Sequence, residues 1–384
     1  MTVRILHTSD WHLGCPFKQI PGDAGGVLRE RRFEVVREIA SLARARRVDA
    51  VLVAGDVFDS QHIGDALLDR TLELLASAGG LWILLPGNHD AALAESVWTR
   101  LARRGPPPSV RVALGSEPLP IAEGRAVVLP APLADRRALD DPTAGMDTAP
   151  SPAGAIRIGL AHGVVEGLQP AAETVFNPIA RDRAARAGLD YLALGDRHGT
   201  LEVAPRTWYA GTPEPDGFRY REAGFVLLVE LDGPAAPPRI EPIATGRYHW
   251  VERRLELAPL APAELAARID ALRQGLPAAP EHCVVRLELE GSVDLEGRGA
   301  VDAALARLGA ALRHLDREDR LVLQPTAVEL AALDDGSALG ACARDLCERA
   351  ERAPSEEERA VAALALRLLW QEHARLAAGE GASR

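Results

Sequence analysis

A chain of 384 residues, 47% hydrophobic and 26% charged, has the length of two or three globular domains and an ordinary globular composition. The formal net charge of −11 excludes a chain that coats nucleic acid by itself, because counterion release needs clustered Lys and Arg; acidic metal ligands remain compatible with it. The apolar runs are of strand length, the start has no signal-peptide layout, and Cys15, Cys283, Cys342 and Cys347 have no paired zinc spacing, so a cytoplasmic protein with reduced thiols and no membrane partner is expected.

Residues 3–8 read as a strand running into Ser9-Asp10-Trp11-His12. A Gly-rich stretch at 22–26 follows. Leu28, Val35, Val36, Ile39, Leu42 and Ala43 then recur at helical spacing, which predicts a helix over about 28–46 with Arg and Glu on its other side. Residues 50–54 form a buried strand ending at Gly55-Asp56, and 65–78 a helix. The strand at 81–85 ends at Pro86-Gly87-Asn88-His89-Asp90.

Residues 134–154 are rich in Pro, Asp, Ala and Gly and read as a surface loop. The strand at 156–161 ends at His162-Gly163, Asn177-Pro178 signals a helix start, and 191–194 ends at Gly195-Asp196-Arg197-His198. Continuous apolar strands separated by amphipathic helices indicate an α/β sheet covered on both faces. Every polar cluster falls just past a strand C-terminus, where such sheets place ligands.

From residue 207 the pattern turns to strands, at 207–210, 225–231, 239–243 and 248–257. The Pro-rich 257–262 marks a boundary. A small α+β module should occupy 258–330, with helices at 263–274 and 300–312 and strands at 283–289 and 320–323. Residues 331–384 should be helical from about Ser337, broken near Pro354-Ser355. The expected domains are therefore 1–257, 258–330 and 331–384.

The strand-end motifs supply Asp10, His12, Asp56, Asn88, His89, Asp90, His162, Asp196 and His198. Oxygen and imidazole donors of this kind suit Mn²⁺, Fe²⁺, Co²⁺ or Zn²⁺. Taken singly, each motif has a plainer reading: Gly-Asp is a routine turn, and a lone His162 is more often a satisfied histidine. Their order along successive strands carries the metal-site reading. Trp11 and Phe58 are expected to pack locally, and Cys15 to be a small buried residue. His7 and His62 have no partner pattern, and Arg181, Arg183 and Arg186 should lie on a solvated helix face.

The series Asp10-Trp11-His12-Leu13-Gly14, Gly55-Asp56-Val57-Phe58-Asp59, Gly87-Asn88-His89-Asp90, His162-Gly163 and Gly195-Asp196-Arg197-His198 resembles the calcineurin-like metallophosphoesterases. Within them it is most similar to the SbcD-type DNA-repair exonucleases. The resemblance implies a four-layer αββα sandwich, a small α+β cap module and a helical C-terminal segment. It also implies two-metal hydrolysis of DNA phosphodiesters, in which paired cations lower the pKa of water and neutralise charge on phosphate.

On that resemblance Asp10, His12 and His198 hold one ion, Asp56 bridges, and Asn88 and His162 hold the second. His89 acts on the scissile phosphate, while Asp59 and Asp90 support the ligands. Members of the family usually have histidine where this chain has Asp196. A carboxylate there still ligates a hard ion and favours Mn²⁺ or Fe²⁺; the alternative is a weakened second site.

The implied partners are DNA and an SMC-like coiled-coil ATPase of the SbcC type, with homodimerisation left open. The stripe Val361, Leu364, Ala365 and Leu368 has the spacing of a docking face, or equally of ordinary packing. Two competing functions stay open: a phosphoesterase for nucleotides or phosphomonoesters, and a non-catalytic scaffold of the same fold.

Overall fold

The computed structural model describes residues 2–169, 174–333 and 338–380, which fall into two compact units, 1–248 and 249–384. In the first unit the elements in chain order are β1 (Val3–Thr8), α1 (Gly22–Arg46), β2 (Ala50–Val53), α2 (Asp65–Ala78), β3 (Trp82–Leu84), α3 (Val97–Ala102), β4 (Val110–Val112), β5 (Leu119–Ile121) and β6 (Ala126–Ala131). They continue with β7 (Ile156–His162), β8 (Val164–Val165), β9 (Pro178–Ile179), α4 (Arg183–Arg186), β10 (Tyr191–Gly195), β11 (Leu201–Ala204), β12 (Thr207–Tyr209), β13 (Phe225–Leu231) and β14 (Arg239–Ala244).

Two six-stranded sheets result, in the orders β14-β13-β1-β2-β3-β4 and β11-β12-β10-β7-β6-β5. Alternation along the strands builds the layers. Val3 and Ile5 of β1 join Ala50 and Leu52 of β2 and Ile158 and Leu160 of β7 in one core between the sheets. Leu6, Val51 and Val53 face the other way, against Val36 and Ile39 of α1 and Leu68 and Leu75 of α2. On the outer face of the second sheet, Val127 and Leu129 pack against Ala184, Ala187 and Met146. The unit is thus the expected αββα sandwich, although its last layer is one short helix and loop rather than long helices. Trp11 and Phe58 are buried and pack edgewise and tilted against Trp82 and Trp98.

Several local expectations are corrected. Helix α1 begins at Gly22 and absorbs the Gly-rich stretch, where Gly25 leaves room for the Ile20 carbonyl. Its Arg31 and Arg32 are each 2% exposed, so that side of the helix is not simply solvated. Asn177-Pro178 does not open a helix. Asn177 has φ 50°, its side chain binds Ala138 N and Arg136 O, and Pro178 enters a two-residue strand paired with β8. Long-range contacts to the 134–154 loop override the local signal. Arg183 is likewise buried, not solvated: it pairs with Asp141 at 2.6 Å and with Asp147. Cys15 is only half-buried.

The second unit contains β15 (His249–Leu257), α5 (Pro262–Ala271), β16 (Cys283–Val293), α6 (Leu295–Ala311), β17 (His314–Asp319), β18 (Val322–Leu323), α7 (Ala327–Leu333), α8 (Ala338–Arg352) and α9 (Glu356–Glu380). The boundary expected at 257 moves to 248, because β15 pairs in parallel along its whole length with β16 and belongs to the second sheet system. Strand β17 was hidden by its charges: His314, Asp316 and Glu318 alternate on a strand that pairs with β16 alone in this sheet. The helical break near Pro354 is present, with Ser355 Oγ accepting from Glu358 N. Ser337, the anticipated start of the tail, lies outside the described residues. Ala362 and Leu366 are buried, whereas Val361, Leu364 and Leu368 are exposed.

Candidate metal centre

The C-terminal ends of β1, β2, β3, β7 and β10 and the loops after them carry the candidate residues, His162 as the last residue of β7, and their convergence strains the backbone. Asp10 (φ 54°), His12 (44°), Asp56 (53°) and Asp196 (100°) all adopt left-handed conformations. Each such residue costs on the order of 1–3 kcal/mol, and such strain collects at functional sites. Cross-loop bonds hold the strain: Asp10 N donates to Gly55 O at 3.1 Å and His12 N to Asp56 O at 3.0 Å. His89 N donates to Asp56 Oδ1 at 2.9 Å and Asp196 N to Asp10 Oδ1 at 3.2 Å. A Cβ on Gly87 would collide with the Asp56 carboxylate, and one on Gly195 with the Ala54 carbonyl, which explains glycine at both.

Asp10, His12 and His198 bring one ligand atom each within 4.8 Å of one another, as do His12, Asp56 and His89, and Asp10, Asp56 and His162. Asp56 belongs to two of these three groups. His162 Nε2 lies 3.0 Å from Asn88 Oδ1, 3.5 Å from Asp56 Oδ2 and 3.7 Å from Asp196 Oδ1. Asp10, His12, Asp56, Asn88, His162, Asp196 and His198 therefore form one cluster with His89 on its flank. The donor set fits divalent cations: His12 Nε2 and His198 Nε2 face each other at 3.2 Å, an approach that a shared cation or proton must mediate.

The imidazoles are aimed from behind. His162 Nδ1 donates to the Ala54 carbonyl at 2.8 Å, and His89 Nδ1 to the Asp59 carbonyl at 2.9 Å. A carbonyl only accepts, so in the neutral rings Nε2 is left bare and turned toward the cluster. His198 Nδ1 donates to Asp216 Oδ1 at 3.1 Å, and Asp216 also pairs with Arg32 at 3.0 Å. Asp216 was missed from sequence: it lies in a Pro-rich loop and belongs to no motif. Asp90 takes the supporting part expected of it, accepting from Gly87 N at 2.7 Å and Phe58 N at 3.0 Å. The Asp59 side chain stands 3.6 Å from His12 Nδ1.

Burial and neighbouring charge divide the titrations. Burial raises Asp10 to about 6 and, with Asp56 nearby, Asp90 to about 8. Burial also raises Asp196, against the pull of His162. For Asp56 burial is opposed by His162, His12 and His89, which together hold the carboxyl well below its usual range. Burial lowers His12 to about 3. In His198 burial is outweighed by Asp216, and its pKa rises to about 9. The result is a buried cluster of interleaved acids and imidazoles whose charges need cations to settle.

Residues 3–165 match the calcineurin-like phosphoesterase family. The uncharacterized metallophosphoesterase YhaO of Bacillus subtilis (strain 168) is 28% identical over 203 residues, covering 50% of this chain and 48% of that protein. The D component of the nuclease SbcCD of Escherichia coli (strain K12) is 38% identical over 100 residues, 24% of this chain and 23% of the relative. Its namesake in B. subtilis (strain 168) is 35% identical over 92 residues, covering 23% and 22%. The chain thus spans about half the length of the first relative and under a quarter of the others.

Proposed function

Since the chain carries the domain of the calcineurin-like metallophosphoesterases, a family of metal-dependent phosphoester hydrolases, we propose that it is a nuclease that cleaves DNA phosphodiesters at the cluster just described. The observation that carries this reading is the convergence of carboxylate, amide and imidazole donors from separate strand ends on one pocket, where Asp10, His12 and Asp56 each belong to two of the three ligand-forming groups. Asp10, His12, Asp56 and His198 would hold one ion, and Asp56, Asn88, His162 and Asp196 would hold the other. Mn²⁺ is the favoured metal, because oxygen donors dominate the second set. When bound, the pair supplies a nucleophile at neutral pH and charge neutralisation at phosphate.

The chain's own residues do the rest. His89 keeps Nδ1–H on the Asp59 carbonyl and would face the phosphate through Nε2; a second proton taken up there makes it an imidazolium that stabilises the leaving oxygen or gives it that proton, returning to the neutral ring. Asp216 and the Ala54 carbonyl fix the rings of His198 and His162, so their orientation is set before substrate arrives. The 38% match to a component of a nuclease supports DNA over small phosphoesters. The longer match to a metallophosphoesterase of unassigned substrate keeps the small-ester reading as the competitor.

A coiled-coil ATPase is the proposed partner, supported by the exposed Val361, Leu364 and Leu368 on α9. Among the described residues no helix is long and apolar enough to cross a membrane. The test is cleavage of end-labelled DNA in Mn²⁺ by wild type and His89→Ala. Wild type should cut. The variant should lose about 10²-fold or more in turnover while retaining its metal. Cleavage of small phosphoesters alone, with or without the ATPase, would select the competing reading.

A further inference from the structure

Beside the cluster lies a cavity of about 160 Å³ whose wall includes Asp196, Arg197, Tyr209, Arg219 and Tyr220. It is well below the roughly 300 Å³ of a small-molecule pocket, so it admits a group of phosphate size and not a whole nucleotide. Asp196 belongs to the metal cluster and to this wall, so whatever fills the cavity adjoins the reacting phosphate.

The cavity has cations to offer. Arg197 stands 4.9 Å and Arg219 5.2 Å from the centre of the Tyr220 ring, each in range of a cation–π contact. Arg197 Nε is buried without a hydrogen-bond partner among the described residues, an unfavourable state until an acceptor arrives. Among the described residues neither guanidinium is within ion-pair distance of a carboxylate, in a chain where most arginines are so paired. The Tyr209 hydroxyl is already engaged, accepting from Val165 N and donating to Gly163 O. Among the described residues Asp196 is on this wall, Glu222 flanks Gly199 and Asp216 is on His198, and none of them pairs with either arginine. The Tyr220 ring lies 6.0 Å from that of His198, which ties this wall to the metal cluster.

Two unpaired guanidiniums braced on one ring, next to a phosphoesterase centre, match a second phosphate. Resting on the nuclease reading, we propose that Arg197 and Arg219, braced by Tyr220, form a subsite for the phosphate adjacent to the scissile one in a polynucleotide. The subsite makes this chain discriminate polynucleotides from phosphomonoesters, which have no second phosphate to offer.

The test measures binding, not turnover: the affinity of a fluorescent phosphorothioate tetrathymidylate in Mn²⁺ across a salt series. It compares wild type with Arg197→Ala/Arg219→Ala and Arg197→Lys/Arg219→Lys. The alanine pair should bind about tenfold more weakly. Its log Kd against log salt slope should shrink by about 0.7 for each phosphate that is no longer neutralised. The lysine pair should keep the slope. Equal affinity and slope in wild type and the alanine pair would overturn the subsite, as would a lysine pair as impaired as the alanine pair, or no binding by wild type. Wild type that binds the tetranucleotide tightly but leaves its unmodified form uncut strikes the nuclease reading and still supports the subsite.

Discussion

The two halves of the metal cluster solve the same charge problem with different donors. Around His12 and His198 two imidazoles meet Asp10, with Asp56 shared between the halves at 3.8 Å from His12, and a further carboxylate, Asp216, stands behind His198 with Arg32 beyond it. Around His162 the order is reversed: one imidazole faces Asp56 and Asp196 together with the Asn88 amide. The first half has a charge relay reaching out of the cluster, so its balance is shared with α1. The second half crowds anions, and burial together with the neighbouring Asp56 charge pushes Asp196 toward its neutral form against the pull of His162. A hard cation relieves that crowding.

Asp56 is the side chain on which the halves depend equally, and its loss should have the largest effect. Asp56→Asn removes the shared charge and should lower DNA hydrolysis by on the order of 10³-fold, the scale of losing one electrostatic stabiliser or more. Bound metal, measured by elemental analysis, should fall at both positions. A variant that keeps two ions per chain would show that the halves are independent.

The sheet and its strand-end clusters were legible in the sequence. Unbroken apolar strands ending in Gly, Asp, Asn and His announce an α/β sheet with ligands past its strand ends, because period and punctuation are local signals. Asp216 was illegible for the opposite reason. It reaches His198 from 18 residues away, through a turn-rich segment with no periodicity. Arg31 and Arg32 misled in the same way: arginine on a helix normally means solvent, yet Glu214 and Asp216 draw these two inward at 2.7 and 3.0 Å. The domain boundary slipped from 248 to 257 because proline marks where a strand ends and not which sheet it joins. The charged β17 hid its pairing altogether.

The next test exchanges the character of the second half. Asp196→His replaces a hard anion by a neutral imidazole and makes the two halves alike. Its preference should move from Mn²⁺ toward Zn²⁺ by about tenfold, since imidazole suits the later ion and carboxylate the earlier. Competition titrations with the two metals read this ratio directly. An unchanged ratio would mean that Asp196 does not ligate and that the second ion rests on Asn88 and His162 with Asp56.

The smallest effect concerns what clasps the halves together. His7, on β1 just before Asp10, donates from Nε2 to the Leu194 carbonyl at 3.1 Å, two residues before Asp196. Its Nδ1 then accepts from the Tyr191 hydroxyl at 2.9 Å. The neutral ring makes both bonds, and burial, only partly offset by the Leu194 carbonyl, lowers its pKa to about 3. The unfolded chain takes up a proton near pH 6.5 that the folded chain refuses, so this contribution is whole above about 6.5 and erodes as pH falls toward 3. The slope is about 1.4 kcal/mol per pH unit, close to a factor of ten in the folding constant. In metal-free urea titrations His7→Gln, which has a donor and an acceptor but does not titrate, should lack this portion of the acid limb. Parallel limbs for wild type and variant would mean that the ring can charge in place, and that the two strand ends are joined by something other than a neutral histidine.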